Sequence, residues 1–509
     1  MTADRLLRCE VCVIGTGAGG ASAACALAEA GKDVVMLEAG PHHTAADMVQ
    51  REDVMLPRLF AEEGRRTTVD GAIPILQGRA VGGGTAHNTG YIYRAPPGII
   101  ERWRAEAGFD VADADLATLY GGLERAIAVT PCREEDVNAH NEIVRRGARA
   151  LGWRERRTDH NRAPACSGCG YCVLGCAYNR KQSALVTFVP RALAAGARLV
   201  AGATARRLRR ARSELWRVEG ELDAIGADGH PARNPGRLVV ECARVLVAAG
   251  AIDTPLILAR SGLADGSPRG RTLRIHPAAP VAALFDEPVV AWRGVPQSVM
   301  VEEFATFLET GRGGYLLMPA NATPALTAPL LPGVGPEHRA LVRDLPRLAS
   351  GAVLLHDETR GRVGARGRDG LRPAIEYWPD AADLAELRAG IRNLALLFLA
   401  AGARRIILPF RDSPVVDAAG GERAIDAALA RGRPLPHLLS LSSVHPQGTC
   451  PLGKSPVRSV VRPDLELHDP LGRGVYVADA SVFPSSIGVP PQLTIMLAGA
   501  LAARSVLAA

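Results

Sequence analysis

The stretch "CEVCVIGTGAGGASAACALAEAGKDVVMLEAG", Cys9 to Gly40, leaves this chain few choices of fold. An apolar run ends in a glycine turn, an alanine-rich segment of helical length follows, and a second apolar run closes the unit. That order reads strand, turn, helix, strand, the opening of a parallel α/β sheet. Gly15, Gly17 and Gly20 form the pattern G-x-G-x-x-G. The first permits the tight turn, the second lets the backbone approach a pyrophosphate, and the third lets helix pack on strand. The helix N-terminus then offers free N–H groups to the phosphates. Glu38 ends the second run about 20 residues on, where a carboxylate accepts both ribose hydroxyls and repels a 2'-phosphate. A dinucleotide site follows, for FAD or NAD rather than NADP.

One such unit does not account for 509 residues, so the chain holds further domains or a large insertion. With 47% hydrophobic and 22% charged residues the composition is globular, and it names no activity. The net charge of +7 is spread over a large surface. Its densest basic run, "ARRLRRARSELWR" (Ala205 to Arg217), mixes in acidic and apolar residues and reads as a solvated face, so no nucleic-acid partner is expected. The opening "MTADRLLRCEVCVIG" lacks the apolar region and cleavage site of a secretory signal. The longest uncharged stretch, Ala480 to Ala503, carries Pro484, Pro490 and Pro491, which do not suit a lipid-facing helix. The expectation is a cytoplasmic protein with no membrane span. Its ten cysteines are then free, metal-bound or redox-active rather than a disulfide framework.

The segment "GRAVGGGTAHNTGYIYR" (Gly78 to Arg94) supplies backbone donors and small side chains that can lie flat against a ring system. Together with "VLVAAGAIDTPLILARSG" (Val245 to Gly262), "HPQGTCPLG" (His445 to Gly453) and "VYVADASVFPSSIGVPPQLTI" (Val475 to Ile495), it resembles the glucose-methanol-choline (GMC) oxidoreductase family. The resemblance implies an α/β fold in which a split Rossmann-like domain holds FAD. A substrate domain built on an antiparallel sheet with helices is inserted in it. It implies FAD-binding segments at 1–130, 190–285 and 438–509, a cap with the Cys-rich segment at 131–189, and the substrate domain at 286–437. "PAIEYW" (Pro373 to Trp378) reads as one strand of that domain. Leu384, Leu387, Ile391, Leu394 and Phe398 recur at helical spacing, so Ala381 to Ala401 reads as an amphipathic helix. The Gly- and Pro-rich stretch from Gly311 to Pro336 has neither period and reads as loops.

By the same resemblance, Arg79, Gly83, Thr85 and Asn88 contact the flavin, Asp479 its ribityl and phosphate region, and Ala205 the adenine pocket. His87 falls where the choline-oxidase branch of the family carries a histidine joined covalently to FAD; a covalent link and simple ring packing are both open. His445 matches the family's catalytic histidine, acting as the base that accepts the hydroxyl proton or as a binder of the alkoxide. The implied reaction oxidises an alcohol to a carbonyl by hydride transfer to flavin, which then passes electrons to oxygen, a quinone or a redox protein. One position departs from the family. Where its members carry a second polar residue, in a stretch like "GVNP", this chain has Pro490, which offers neither side-chain donor nor N–H. Gln492 or Ser486 would have to hold the substrate oxygen. Otherwise the protein is a flavoenzyme acting on a C–C bond, or a flavin-binding redox protein without turnover.

"PACSGCGYCVLGCAYNRK" (Pro164 to Lys181) spaces Cys166, Cys169, Cys172 and Cys176 as C-x2-C-x2-C-x3-C. The bacterial ferredoxin run is similar but ends in Cys-Pro and shares its fourth ligand with a second cluster; here Ala177 follows and no second quartet exists. Cys166, Cys172 and Cys176 resemble the run that holds a three-iron cluster beside FAD in some sugar dehydrogenases of this family, with Cys169 spare or a fourth ligand. Long-chain alcohol oxidases carry a similar segment for which no cluster is inferred. An iron-sulfur cluster, unmetallated thiols or a local disulfide, and zinc are the three readings.

Overall fold

The computed structural model describes residues 5–212, 215–223, 236–321, 323–367, 370–412 and 414–509. The first unit forms as its pattern requires: β1 (Arg5–Ile14), α1 (Ala18–Glu29) and β2 (Val34–Glu38). β1 and β2 run parallel, from Val11 opposite Val34 to Ile14 opposite Leu37. Both are buried on two faces there, which is why they read as unbroken apolar runs rather than alternating ones. Arg198–Ala201 extends the sheet beyond β2, and Gly236–Val247 beyond β1, both parallel. The long Gly236–Val247 strand splits its outer edge. Its first half pairs antiparallel with Leu215–Leu222, while Val245–Val247 pairs parallel with Val475–Val477. Three segments far apart in sequence thus share one Rossmann-like sheet. The last helix, Gln492–Ala508, packs on α1, where the Ser22 hydroxyl donates to the Met496 carbonyl at 3.0 Å.

The basic run lies on the antiparallel pair Ala203–Arg212 and Leu215–Leu222, with residues 213–214 outside the described residues. Arg206, Arg207 and Arg217 reach Glu221, Glu219 and Glu241 at 2.6–2.8 Å, so its charge is largely matched within the sheet.

The second sheet is antiparallel throughout. Its order is Val415–Asp417, Arg405–Ile407, Ala278–Leu284, Leu348–Leu355, Tyr315–Pro319, Val299–Val301 and Glu155–Arg157. Helix Ala381–Ala400 lies against it, capped by the Asp380 carboxylate on the N–H groups of Ala382 and Asp383. Leu387, Ile391, Leu394 and Phe398 are buried, as the period required. Two segments differ from the sequence reading. Tyr315–Pro319 is an inner strand within the stretch expected as loops; the glycines before it hid a five-residue apolar run too short to show a period. Arg372–Glu376 is a strand, but it forms a separate two-stranded sheet with Arg362–Arg366. The second sheet takes its strand Ala278–Leu284 from the stretch just before residue 286 and an edge strand, Glu155–Arg157, from the cap segment. Among the described residues, no helix is long and apolar enough to cross a membrane.

Candidate active site

At the end of β1, Gly15 takes φ +98°, and a Cβ there would lie 2.2 Å from the Ala248 carbonyl oxygen just past the end of the neighbouring parallel strand, so the position admits only glycine. A Cβ at Gly20 would lie 2.0 Å from the Gly15 carbonyl oxygen, which seats α1 on the turn. Gly17 differs: the nearest atom to its Cβ would be the Gly83 Cα, at 3.9 Å. The space over the N-terminus of α1 is therefore open to a ligand. Gly83 backs onto that same turn, and the Gly82 N–H donates to the Thr16 hydroxyl at 3.1 Å. Glu38 accepts from the Thr16 N–H and hydroxyl at 3.0 and 2.7 Å and from the Gly40 N–H at 2.9 Å. Burial raises its pKa, and these bonds oppose the rise. Arg79 is ion-paired with Asp223 at 2.9 Å, and Ala205 is buried in the sheet beside a register shift. Asp479 accepts from the Gly250 N–H, the Thr254 hydroxyl and the Ser481 N–H, tying its loop to the start of helix Gly250–Arg260.

The segment after Gly83 is held from within. Thr85 donates its hydroxyl to the Gly82 carbonyl and accepts from the Ala184 N–H, so that hydroxyl is spent on the loop. The His87 ring packs against Phe60 with centroids 4.0 Å apart. Burial, then the nearby Lys181 ammonium, pushes His87 down to about 3, so the ring is uncharged at neutral pH. Asn88 donates its amide to Gln492 Oε1 and its carbonyl accepts from Lys181 Nζ. His87 Nε2 and Gln492 Nε2 are buried without a hydrogen-bond partner. These unspent polar atoms, with the open space over Gly17, fit a bound dinucleotide.

His445 is partly exposed and lies beside the exposed Val444. Burial of its ring pushes it down to about 4. Its Nδ1 is 3.4 Å from Nδ1 of His276, with the rings edge-on at 81°. His276 is fully buried, and its Nε2 lies 2.9 Å from the Gly488 N and 2.8 Å from the Gln447 amide. The Ile487 N–H donates to Gln447 Oε1 at 3.1 Å, which turns the Gln447 NH2 toward His276. Asp357 gathers the backbone N–H groups of Ile275 and His276 and the hydroxyls of Tyr377 and Ser486. Ser486 is thereby removed as a holder of the substrate oxygen: it is fully buried and its hydroxyl is 2.8 Å from Asp357 Oδ1. Gln492 keeps its amide nitrogen unspent. The 486–492 segment thus runs from Asp357 past His276 to Asn88 and joins the two halves of the site. His276, Gln447 and Lys181 were missed in the sequence, although "RIHP" and "HPQGT" contain the first two.

The four clustered cysteines are free and partly exposed, and they line one cavity with His160, Arg162 and Lys181. Lys181 bridges this segment to the other site, donating to the carbonyls of both Cys172 and Asn88 at 2.7 Å. Burial pushes the Cys172 thiol up to about 12, so it stays protonated at neutral pH. Cys176 Sγ is engaged by the N–H groups of Arg180 and Lys181. Among the described residues, no group of three or more His, Cys, Asp or Glu side chains is placed to hold a metal ion. The iron and zinc readings therefore find no preformed ligand set.

A split Rossmann-like sheet with a phosphate turn, joined to an antiparallel sheet that carries a histidine pair, defines an oxidoreductase of the flavin-binding α/β class. The chain belongs to the GMC oxidoreductase family: residues 56–278 and 357–499 match the two models of that description, and residues 13–53 match an NAD(P)-binding Rossmann-like domain. It is 34% identical over 502 residues to an uncharacterized GMC-type oxidoreductase of Mycobacterium tuberculosis, covering 96% of this chain and 74% of that one. A long-chain-alcohol oxidase of Arabidopsis thaliana is 26% identical, covering 96% of this chain and 67% of that one. Among solved structures, pyridoxine 4-oxidase from Mesorbium loti superposes with a TM-score of 0.70 at 18% identity, over 98% of this chain and 99% of that one.

Proposed function

We propose that this protein oxidises an apolar or modestly polar alcohol to its carbonyl, with FAD on the Gly15–Gly20 turn and dioxygen as the final acceptor. The observation that carries the reading is the uncharged His445, backed by His276, whose partner Gly488 lies on the same 486–492 segment as Gln492, the acceptor of the Asn88 amide. Similarity to proteins named as alcohol oxidases supports it. Bound FAD would supply the hydride acceptor. Glu38 would hold the ribose and the α1 N-terminus the phosphates, while His87 and Asn88 would border the ring system. His445 meets the substrate hydroxyl, either as the base for its proton or as the donor that holds its oxygen. Gln492, with an unspent amide N–H, takes over the place that Pro490 leaves empty.

The test is an anaerobic panel of long-chain, aryl and simple alcohols, sugars and sterols, followed by turnover with oxygen and with an artificial dye. At least one alcohol should bleach the flavin, and oxygen should restore the colour at the turnover rate. A flavin that stays oxidised throughout would favour a binding or sensing protein instead, and turnover with dye alone would make it a dehydrogenase that feeds a quinone or redox protein.

No electron is routed through the Cys-rich segment in this reading, because among the described residues no three of its side chains are brought together to hold a metal ion. Iron and acid-labile sulfide in anaerobically purified protein should fall well below the flavin content. Amounts matching the flavin would put a cluster at Cys166, Cys172 and Cys176 and reopen the electron path.

A further inference from the structure

We infer that His276 is a positioning residue that fixes the tautomer of His445, leaving the proton on His445 Nε2 and making that ring a hydrogen-bond donor to the substrate oxygen. The inference rests on the reading that His445 meets that oxygen, and it selects between the two roles left open there. The argument starts at His276 Nε2. Two donors converge on it: the Gly488 N–H at 2.9 Å and the Gln447 amide at 2.8 Å. The Gln447 amide can only be turned this way, since its oxygen accepts from the Ile487 N–H. A nitrogen that accepts from two donors carries no proton, so the neutral His276 ring has its proton on Nδ1. That Nδ1–H faces His445 Nδ1 at 3.4 Å, and the His445 nitrogen must accept. The neutral His445 ring then carries its proton on Nε2, so the hydroxyl proton released as the hydride leaves for flavin passes to solvent water at the partly exposed edge of His445 rather than to that atom.

The support around His276 is more than packing needs. Its backbone takes φ +46°, a left-handed conformation that side chains with a Cβ rarely adopt. The Asp357 carboxylate holds it there through the N–H groups of Ile275 and His276, and is itself held by Tyr377 and Ser486. Strain fixed by surplus hydrogen bonds beside a reacting centre is a mark of a positioned group. The arrangement also answers the loss at Pro490. A chain without the second polar residue still presents one fixed N–H to the substrate oxygen, from His445.

The direct test is nitrogen NMR on the flavin-loaded protein labelled with 15N-histidine, near pH 7, with His445→Gln and His276→Asn used for assignment. The expected spectrum shows His445 protonated at Nε2 and His276 at Nδ1; a proton on His445 Nδ1 overturns the inference. This readout needs no turnover, so it stands or falls separately from the alcohol panel. Kinetics give the second arm. His276→Leu should slow flavin reduction roughly tenfold or more, as a wrong tautomer does in other histidine-dependent enzymes. His276→Asn places an amide N–H where Nδ1–H stood and should recover most of the rate. Equal losses in the two variants would reduce His276 to a structural residue.

Discussion

Replacing His445 with alanine is expected to slow anaerobic flavin reduction by roughly 10²- to 10⁴-fold while flavin content stays at the wild-type level. The ring can be removed without disturbing its loop. The His445 N–H donates to the Ser443 hydroxyl and its carbonyl accepts from the Gln447 amide. The elements proposed to bind flavin, Gly15 to Glu38 and the 82–88 turn, lie elsewhere in the chain. In the proposed reaction the ring, whether it accepts a proton or donates to the oxygen, is the polar group at the point where charge develops, and the loss is read in the chemical step. The pH profile sharpens the test. Burial holds His445 near 4, with the His276 ring against its Nδ1 and His356 and Asp357 behind that ring. The ring is therefore uncharged above about pH 5, and proton uptake near 4 would consume the lone pair that faces His276. Wild-type reduction should show its acid limb there rather than at the ordinary histidine value of about 6.5. Stopped-flow reduction of the alanine variant within a few-fold of wild type would remove His445 from the reaction.

What the sequence made legible was local or periodic. The β1–α1–β2 unit could be read because glycine spacing, apolar runs and Glu38 lie within one short segment, and helix Ala381–Ala400 because five apolar residues repeat along it. What stayed hidden depends on partners distant in the chain. Glu155–Arg157 is a strand only because Val299–Val301 pairs with it, and no three-residue run of Glu and Arg announces that. Ser486 looked available to a substrate until Asp357, 129 residues away, was seen to take its hydroxyl. His276 carries no motif of its own in the sequence, and its meaning comes from Gly488 and Gln447, which converge on it from two other segments. The cysteine spacing was plain, but spacing does not state whether the thiols converge, and among the described residues no three are placed to hold a metal ion.

The second large effect separates folding from cofactor binding within a single turn. Gly15→Ala should destabilise the protein by about 2–5 kcal/mol, since the new Cβ must enter a left-handed site and meet backbone. The obstacle is the Ala248 carbonyl oxygen, 2.2 Å from where that Cβ would sit, and it lies just past the end of a neighbouring strand that cannot swing away. Gly17→Ala should cost under about 1 kcal/mol of stability. Gly17 has an ordinary φ of −66° as the residue capping α1, and its Cβ would meet nothing nearer than Gly83 Cα at 3.9 Å. The added methyl instead enters the space where a pyrophosphate would approach the helix N-terminus. Losing one hydrogen bond to a charged phosphate costs about 1.5–3 kcal/mol, so FAD affinity should drop roughly 10- to 100-fold. Melting curves of the flavin-free proteins and flavin titration measure the two quantities independently. The expected pair is a Gly17→Ala protein that melts like wild type but holds FAD weakly, and a Gly15→Ala protein that melts early. Wild-type FAD affinity in Gly17→Ala would mean that the open space over α1 is not where the phosphates lie, and the placement of every flavin contact inferred from that turn would fail with it.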